Sequence, residues 1–243
     1  MMQFEVCANS FNSAQNAEKA GAQRIELCAE LGVGGLTPSF GLIEKVSDEL
    51  NVRINLLVRP RSGNFVYTEE EFDVMLRDVR KAVNMGVNAI VSGVLHHDDS
   101  LDVRRTALLR EACSGVEFTF HRAFDLVNDP HATLEQLASI GVTRILSSGQ
   151  RPTALEGIEL LVALKDQTAV QIMPGSGINA QNIQTFIARG FKEVHFSGTL
   201  MGPSSGDAPK IPFITPSLIS ETAHATSDLD KLKKIIAAAN SKG

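Results

Sequence analysis

Two short stretches near the start of the chain place a glutamate and a cysteine two residues apart, a pairing that could support proton transfer or metal binding. "FEVC" and "RIELC" both alternate apolar and reactive side chains. Because side chains alternate between the two faces of a strand, Glu5 and Cys7 share one face, and Glu26 and Cys28 share the same relative face of their own strand. Buried carboxylates with a raised pKa can act as general bases, and cysteine thiolates prefer soft ions such as Cu(I).

Further strand-like segments carry polar side chains on the face opposite to their large apolar residues. In "INLLVRPR" these are Arg59 and, if the extended run continues, Arg61; in "EFTFHR" His121; and in "VHFS" His195 and Ser197. We expect either of the two glutamates to be the general base and either of the two histidines to be the acid or electrophile. The alternative is an internal network in which arginines neutralise the glutamates, because unpaired buried charges are costly.

Glycine-rich loops follow several of the predicted strands and favour an anion site. In "MPGSGIN" the loop follows a strand and opens a helix, so its backbone N–H groups can face a phosphate. "SGT" and "LSSGQ" lie after two other strands, and arginines can hold a carboxylate or phosphate through two hydrogen bonds. The predicted anion-binding residues are Arg59, Arg61, Ser148, Gly149, Gly175, Ser176, Gly177 and Ser197. Ordinary turns are the alternative for these glycine loops.

The two cysteines of the repeated motif are expected at matching heights on neighbouring parallel strands, ~5 Å apart. Three interpretations are open. Cys7 and Cys28 are packed as small apolar groups, or form a disulfide, which a reducing compartment disfavours, or bind a soft ion as two thiolates. Zinc would need further ligands, and His121 or His195 could supply them only if they lie close.

The elements that position these residues alternate between strand and helix along the whole chain. Eight such units of roughly 25 residues indicate a closed (β/α)8 TIM barrel, in which catalytic residues lie at the carboxyl ends of the strands. The predicted strands are 3–8, 24–28, 53–59, 88–93, 116–121, 143–148, 169–174 and 193–197. The predicted helices are 11–20, 39–50, 68–85, 102–113, 131–140, 153–165 and 179–189. We expect one domain over residues 1–243, with a loop at 198–212 and a closing helix from about residue 227.

The composition excludes several classes of protein. A net charge of −5 and an isoelectric point near 5.7 argue against nucleic-acid binding, which requires a basic surface. No apolar run approaches the ~18 residues that span a bilayer, so no membrane association is expected. Three cysteines do not form a secreted disulfide framework, and a cytoplasmic location follows as the expectation. A dinucleotide fingerprint is absent after the first strand, and no organic cofactor is predicted.

Seven motifs, in order along residues 3–200, resemble the CutC family of copper homeostasis proteins. They are "FEVCANS", "RIELCAE", "GGLTPS", "RPRSGNFVYTEEE", "TFHRAFD", "RILSSGQ" and "MPGSGI". The chain departs mildly from the family pattern at "LSSGQ", where a threonine often precedes the Ser-Gly pair, and the tail after Gly198 carries little family signal.

The resemblance implies a TIM barrel, a cytoplasmic location and often a homodimer. It also implies Cu(I) binding in some members, with Cys7 and Cys28 at the paired cysteine positions. Copper homeostasis through Cu(I) binding is therefore the expected function. The alternative is a TIM-barrel enzyme that acts on a small anionic or phosphorylated substrate by Glu/His acid–base chemistry.

Overall fold

The computed structural model describes residues 2–201 and 225–241. Eight parallel strands form one sheet in the order β7-β6-β5-β4-β3-β2-β1-β8. The strands are β1 Gln3–Ala8, β2 Arg24–Leu27, β3 Arg53–Leu57, β4 Ala89–Ser92, β5 Glu117–Phe120, β6 Arg144–Ser147, β7 Gln171–Pro174 and β8 Glu193–Phe196. A parallel bridge between Gly175 and His195 joins the two outermost strands and closes the ring. The predicted TIM barrel is confirmed.

Helices follow the strands and cover the outside of the ring. They are α1 Phe11–Ala20, α2 Phe40–Glu49, α3 Glu69–Asn84, α4 Val103–Ala112, α5 Pro130–Ser139, α6 Ile158–Gln167, α7 Ile183–Ala188 and α8 Leu229–Asn240. Short 3-10 helices occupy Leu31–Val33 and Arg122–Leu126. Of the helices in the described ranges, none is both long and apolar enough to cross a membrane.

Several helix boundaries follow from local capping chemistry. Helix α3 begins with a reciprocal capping box, in which the Thr68 hydroxyl accepts from the Glu71 N–H and the Glu71 carboxylate accepts from the Thr68 N–H. Helix α1 ends at Gly21, which has a left-handed φ of 91°. Its backbone N–H donates to the carbonyls of Ala17 and Glu18. The ends of these helices are therefore specified locally. Strand β2, which follows α1, begins at Arg24 as predicted, whereas β4, which follows α3, begins at Ala89, one residue later than predicted.

The apolar core lies between the strands and the helices. Outward-facing strand residues such as Val6, Ile25, Leu27 and Phe118 are fully buried there. The other strand face points into the barrel, as the alternation predicts, and carries the polar residues.

The chain after β8 differs from the prediction. Residues 198–212 were expected to form a loop, but Thr199–Met201 is a strand, β9, paired antiparallel with β10 at Ala225–Ser227. Residues 202–212 of that expected loop lie outside the described residues. The closing helix begins at Leu229, with Asp228 as its N-cap, close to the predicted start. One domain over 1–243 stays a prediction.

Candidate functional site

The lower part of the barrel interior is an ion-pair network. Arg24 contacts Glu5 at 2.6 Å and Glu193 at 2.5 Å, and Arg144 contacts Glu193 at 2.5 Å. All four side chains are buried, and such charges are tolerated only when paired. The alternative considered from the sequence, arginines neutralising buried glutamates, therefore describes this layer.

Glu5 belongs to this layer and is held as an anion. Its carboxylate accepts hydrogen bonds from Arg24 Nε at 2.6 Å, Asn55 Nδ2 at 2.6 Å and His195 Nδ1 at 2.9 Å. Burial raises the pKa of Glu5, but the hydrogen bond from His195 and the charges of Arg24 and His195 outweigh it and lower the pKa to about 2. The raised pKa expected for a buried glutamate is wrong at Glu5, whose carboxylate instead contacts His195 as a hydrogen-bond acceptor.

His195 links the ion-pair layer to the space above it. Burial lowers the pKa of His195, but the charge of Glu26 and the hydrogen bond to Glu5 more than compensate, and the net pKa is raised. Its Nε2 lies 3.8 Å from Glu26 Oε2. The imidazole therefore contacts Glu5 through Nδ1 and faces the second glutamate with Nε2.

Glu26 lacks the arginine partners that Glu5 has. Burial raises its pKa, the nearby anionic Glu5 adds to the rise, and the charge of His195 and a hydrogen bond from the Cys7 thiol, at 3.4 Å, offset only part of it. A carboxyl group with a raised pKa beside an imidazole can exchange protons with a bound molecule. Of the two glutamates, Glu26 has the environment that the sequence prediction required of a general base.

The two cysteines are in contact but are not opposite each other. The register pairs Cys7 with Glu26, so the expected matching heights are wrong by two residues. Even so, the Sγ atoms of Cys7 and Cys28 lie 3.6 Å apart, and both cysteines are free. The contact with Cys28, together with burial, raises the pKa of the Cys7 thiol well above its usual value.

The same region holds a group of potential metal ligands. One ligand atom each from Cys7, Glu26 and His195 lie within 4.8 Å of one another. Cys28 touches this group through the Cys7 sulfur.

Arg59 and His121 form the opposite wall, with Phe65 packed on both. Arg59 donates to the carbonyls of Val33, Gly35 and Gly63 at 2.8–2.9 Å, and has no carboxylate partner in the described part of the chain. Burial and the charge of Arg59 lower the pKa of His121 to about 3, so it is neutral. His121 Nδ1 accepts from the Ala123 N–H, so Nε2 carries the hydrogen. Neither Arg59 Nε nor His121 Nε2 has a hydrogen-bond partner among the described residues.

A cavity of about 590 Å³ lies above the ion-pair layer at the carboxyl ends of the strands. Of the residues predicted from the sequence to be functional, it is lined by Cys7, Glu26, Arg59, His121, Ser176, Gly177, His195 and Ser197. The structure thus brings most of the predicted site together at the end of the barrel where such sites occur.

Besides Glu5, which lies in the layer below, five predicted residues do not line the cavity. Cys28 and Gly175 lie next to it, the first against Cys7 and the second bridged to His195. Arg61 pairs with Glu71 on α3 at 2.5 Å, and its pKa is raised by this hydrogen bond. Ser148 donates to Asp125, and Gly149 packs against Gly157. Anion binding by these residues stays a prediction, which the positions of Arg61, Ser148 and Gly149 do not favour.

Three basic residues of the cavity wall were not proposed from the sequence. Arg122 forms an ion pair with Asp125 at 2.8 Å and also faces the cavity. Lys231 and Lys234 lie one turn apart on α8 and both line the cavity, with Ile235 beside them. Their spacing indicates a shared helix face, but nothing in the sequence shows which surface that face covers.

Comparisons with known proteins identify the family of this chain. Residues 2–200 match the model of the CutC family. A CutC family protein of Glaesserella parasuis serovar 5 is 42% identical over 199 residues, which cover 81% of this chain and 82% of that protein.

Solved structures give the same result. A protein of Streptococcus agalactiae, described as a candidate copper homeostasis protein CutC, matches with a TM-score of 0.77 and 33% identity, over 81% of this chain and 99% of that one. Thiamine phosphate pyrophosphorylase of Pyrococcus furiosus, at 12% identity and a TM-score of 0.58 over 98% of this chain and 95% of that one, shares the fold alone. With a family match over most of its length and relatives above 40% identity, this chain belongs to the CutC family.

Proposed function

We propose that the protein takes part in copper homeostasis by binding Cu(I) through Cys7 and Cys28. The observation that carries this proposal is the 3.6 Å contact between the two sulfur atoms, with Cys7 on the cavity wall. The description of the Streptococcus agalactiae relative as a candidate copper homeostasis protein supports it.

The donor set fits a soft monovalent ion. Thiolate sulfur prefers Cu(I). One of the two neighbouring sulfurs comes from β1 and the other from the residue that follows the adjacent strand β2. His195 and Glu26 lie close enough to Cys7 to add a nitrogen or oxygen donor. Because the pKa of Cys7 is raised, the ion has to displace a proton, so affinity should increase with pH.

A Cu(I) titration tests this proposal. We expect the wild type to withdraw about one Cu(I) per chain from a colorimetric chelator, because two thiolates make one soft-metal site. The Cys7→Ser, Cys28→Ser double variant should lose this ability. Cys113→Ala is the matched control, since Cys113 is a buried cysteine at the end of α4, away from the cavity. Equal binding by the double variant and the wild type would contradict the proposal.

A second candidate function is acid–base catalysis on a small anionic substrate. Two observations favour it. Glu26 and His195 lie next to each other on the cavity wall, and the other charged side chains that line the cavity, among the described residues, are all cations. Glu26 would abstract a proton next to a carbonyl group, His195 would donate one, and Glu5 would hold the imidazole in place. A site that only bound copper would not require the unpartnered Arg59 and His121 donors.

Exchange of carbon-bound hydrogen with D2O tests this second candidate. A panel of small phosphorylated carbonyl compounds, followed by NMR, should include at least one that exchanges in the presence of the wild type. Glu26→Gln should slow that exchange by about 10²–10⁴-fold, the usual contribution of a general base. Glu159→Gln, a change at an exposed glutamate paired with Arg189, is the control. No exchange with any compound, or exchange that survives Glu26→Gln, would count against catalysis.

The proposal includes the cytoplasmic location and the homodimer that the family resemblance implies. Three free cysteines, two of them in contact without a disulfide, support a reducing compartment.

A further inference from the structure

The described walls of the cavity carry far more positive than negative charge. Arg59, Arg122, Lys231 and Lys234 face it, against one carboxyl group, that of Glu26. Asp125 offsets part of the charge of Arg122, whereas Arg59 and Lys234 form no ion pair within residues 2–201 and 225–241. Of these cations Arg59 is buried, and its Nε has no hydrogen-bond partner among the described residues, which favours an anionic ligand.

The basic groups of α8 lie over the loop that follows β8. Lys231 Nζ donates to the Thr199 carbonyl at 2.9 Å, and the Asp228 N–H donates to the Gly198 carbonyl at 3.1 Å. Leu232 packs on Gly198 so closely that a Cβ there would lie 2.6 Å from its side chain. The first turn of α8 is therefore held against Gly198 and Thr199, with Lys231 in this contact and Lys234 three residues further along the helix.

The loop after β7 adds backbone donors on the same side. Ser176 and Gly177 have φ values of 81° and 73°, both in the left-handed region. Their N–H groups donate to no acceptor in the described portion of the chain, although the Ser176 hydroxyl donates to the Pro152 carbonyl. Two lysines and two backbone N–H groups at the loops after β7 and β8 have the composition of a phosphate site.

A second set of donors lies across the ring. Arg59 follows β3 and His121 follows β5, whereas β7 and β8 carry the phosphate-type donors. Arg59 Nε and His121 Nε2 are both buried without a partner, and the Phe65 ring packs on both, 4.6 Å from the imidazole and 5.0 Å from the guanidinium carbon. Because His121 is neutral with hydrogen on Nε2, this wall can donate to a carboxylate but cannot accept from a hydroxyl.

We infer that the cavity binds a small phosphorylated carboxylic acid. Its phosphate lies between Lys231, Lys234 and the Ser176–Gly177 backbone, and its carboxylate lies against Arg59 and His121. The carbon chain between them then passes Glu26 and His195. This inference rests on the second candidate function and adds the substrate class to it. The volume of about 590 Å³ is within the usual range for small-molecule sites.

Isothermal titration with three related probes tests this assignment on the full chain. The probes are 3-phosphoglycerate, glycerol 3-phosphate, which lacks the carboxylate, and glycerate, which lacks the phosphate. We expect 3-phosphoglycerate to bind the wild type most tightly. Removing either charged group should cost roughly tenfold in affinity, as for a charge-assisted hydrogen bond.

Variants separate the two ends of the site. Lys231→Met with Lys234→Met should weaken both phosphorylated probes roughly tenfold and leave glycerate unchanged. Lys233→Met is the control, since Lys233 lies on the same helix, is exposed and does not line the cavity. His121→Phe should weaken the two carboxylates and leave glycerol 3-phosphate unchanged.

The outcomes distinguish this inference from the function on which it rests. If the wild type binds all three probes equally, or if the lysine variant affects all three equally, the two-ended assignment is wrong while catalysis by Glu26 stands. If none of the probes binds while hydrogen exchange still depends on Glu26, the substrate class is wrong and the catalytic pair is right. Comparison of the probes on the wild type alone keeps the test valid if His121→Phe fails to fold.

Discussion

Two glutamates in the same local motif have opposite pKa shifts because their neighbours differ. Glu5 accepts from an arginine, an asparagine and a histidine, whereas Glu26 accepts from a thiol and lies near another carboxylate. Burial acts in the same direction on both, so the difference comes from the partners. The Glu-x-Cys repeat therefore supplies one structural anion and one group suited to proton transfer.

Glu5→Gln should strongly destabilise the protein, because it leaves Arg24 and His195 with less compensating charge in the barrel interior. Breaking a buried pair costs about 3–5 kcal/mol. Urea unfolding at pH 7 measures the loss. Glu159→Gln, in an exposed ion pair with Arg189, is the control and should cost less than about 1 kcal/mol. Similar losses for the two variants would contradict the assigned role of Glu5.

The pH dependence of unfolding is a second test of the stabilising role of Glu5. The folded pKa of Glu5, about 2, is below its usual value of 4.5. Its stabilising contribution is therefore complete above pH 4.5 and is lost as the pH falls toward 2. The wild type should lose more stability than Glu5→Gln over this interval. His195 acts in the opposite sense, since its raised pKa contributes stability that is lost as the pH rises through that pKa.

At the scale of elements, the loop after β6 packs closely on the residues before α6 and does not line the cavity. Gly149 has a φ of 70°, and a Cβ there would lie 2.2 Å from the Gly157 carbonyl oxygen. Asp125 accepts from the hydroxyls of Ser147 and Ser148 beneath it. The loop thus connects β6 to α6 through contacts that allow no side chain at this glycine.

Gly149→Ala should lower the free energy of unfolding by more than Gly21→Ala. Both glycines have a positive φ, which costs an L-residue about 1–2 kcal/mol. Gly21 has open space around the Cβ position, whereas at Gly149 overpacking adds about 1–3 kcal/mol. Chemical unfolding of both variants measures the difference. Equal destabilisation would show that the contact with Gly157 is not rigid.

Sequence patterns predict the elements of this protein well and their relative heights poorly. Alternation in "FEVC" and "RIELC" correctly places Glu5, Cys7 and Glu26 inside the barrel, because side-chain direction is a local property of a strand. The stagger between β1 and β2, which puts Cys7 beside Glu26 instead of Cys28, depends on the shear of the whole ring. No local pattern contains that information.

At the scale of the whole molecule, the C-terminal helix completes the cavity. Lys231 and Lys234 reach it although more than 30 residues separate them from the end of β8. The sequence predicts α8 from its cap and its amphipathic pattern, but its docking surface is a long-range property. For the same reason the pairing of Arg61 with Glu71, which takes Arg61 away from the cavity, follows from the helix start at Thr68 and not from the strand.

The bridge between Gly175 and His195, which closes the ring, lies within the part of the candidate site that carries the phosphate-type donors. Ser176 and Gly177 follow β7 on one side of this bridge. His195 lies in β8 on the other side, and Ser197 follows β8 directly. A ligand that contacts residues of both strands also stabilises the contact between β7 and β8. Part of its binding free energy therefore stabilises the closed barrel. Ligand occupancy should then be coupled to the thermal stability of the whole barrel.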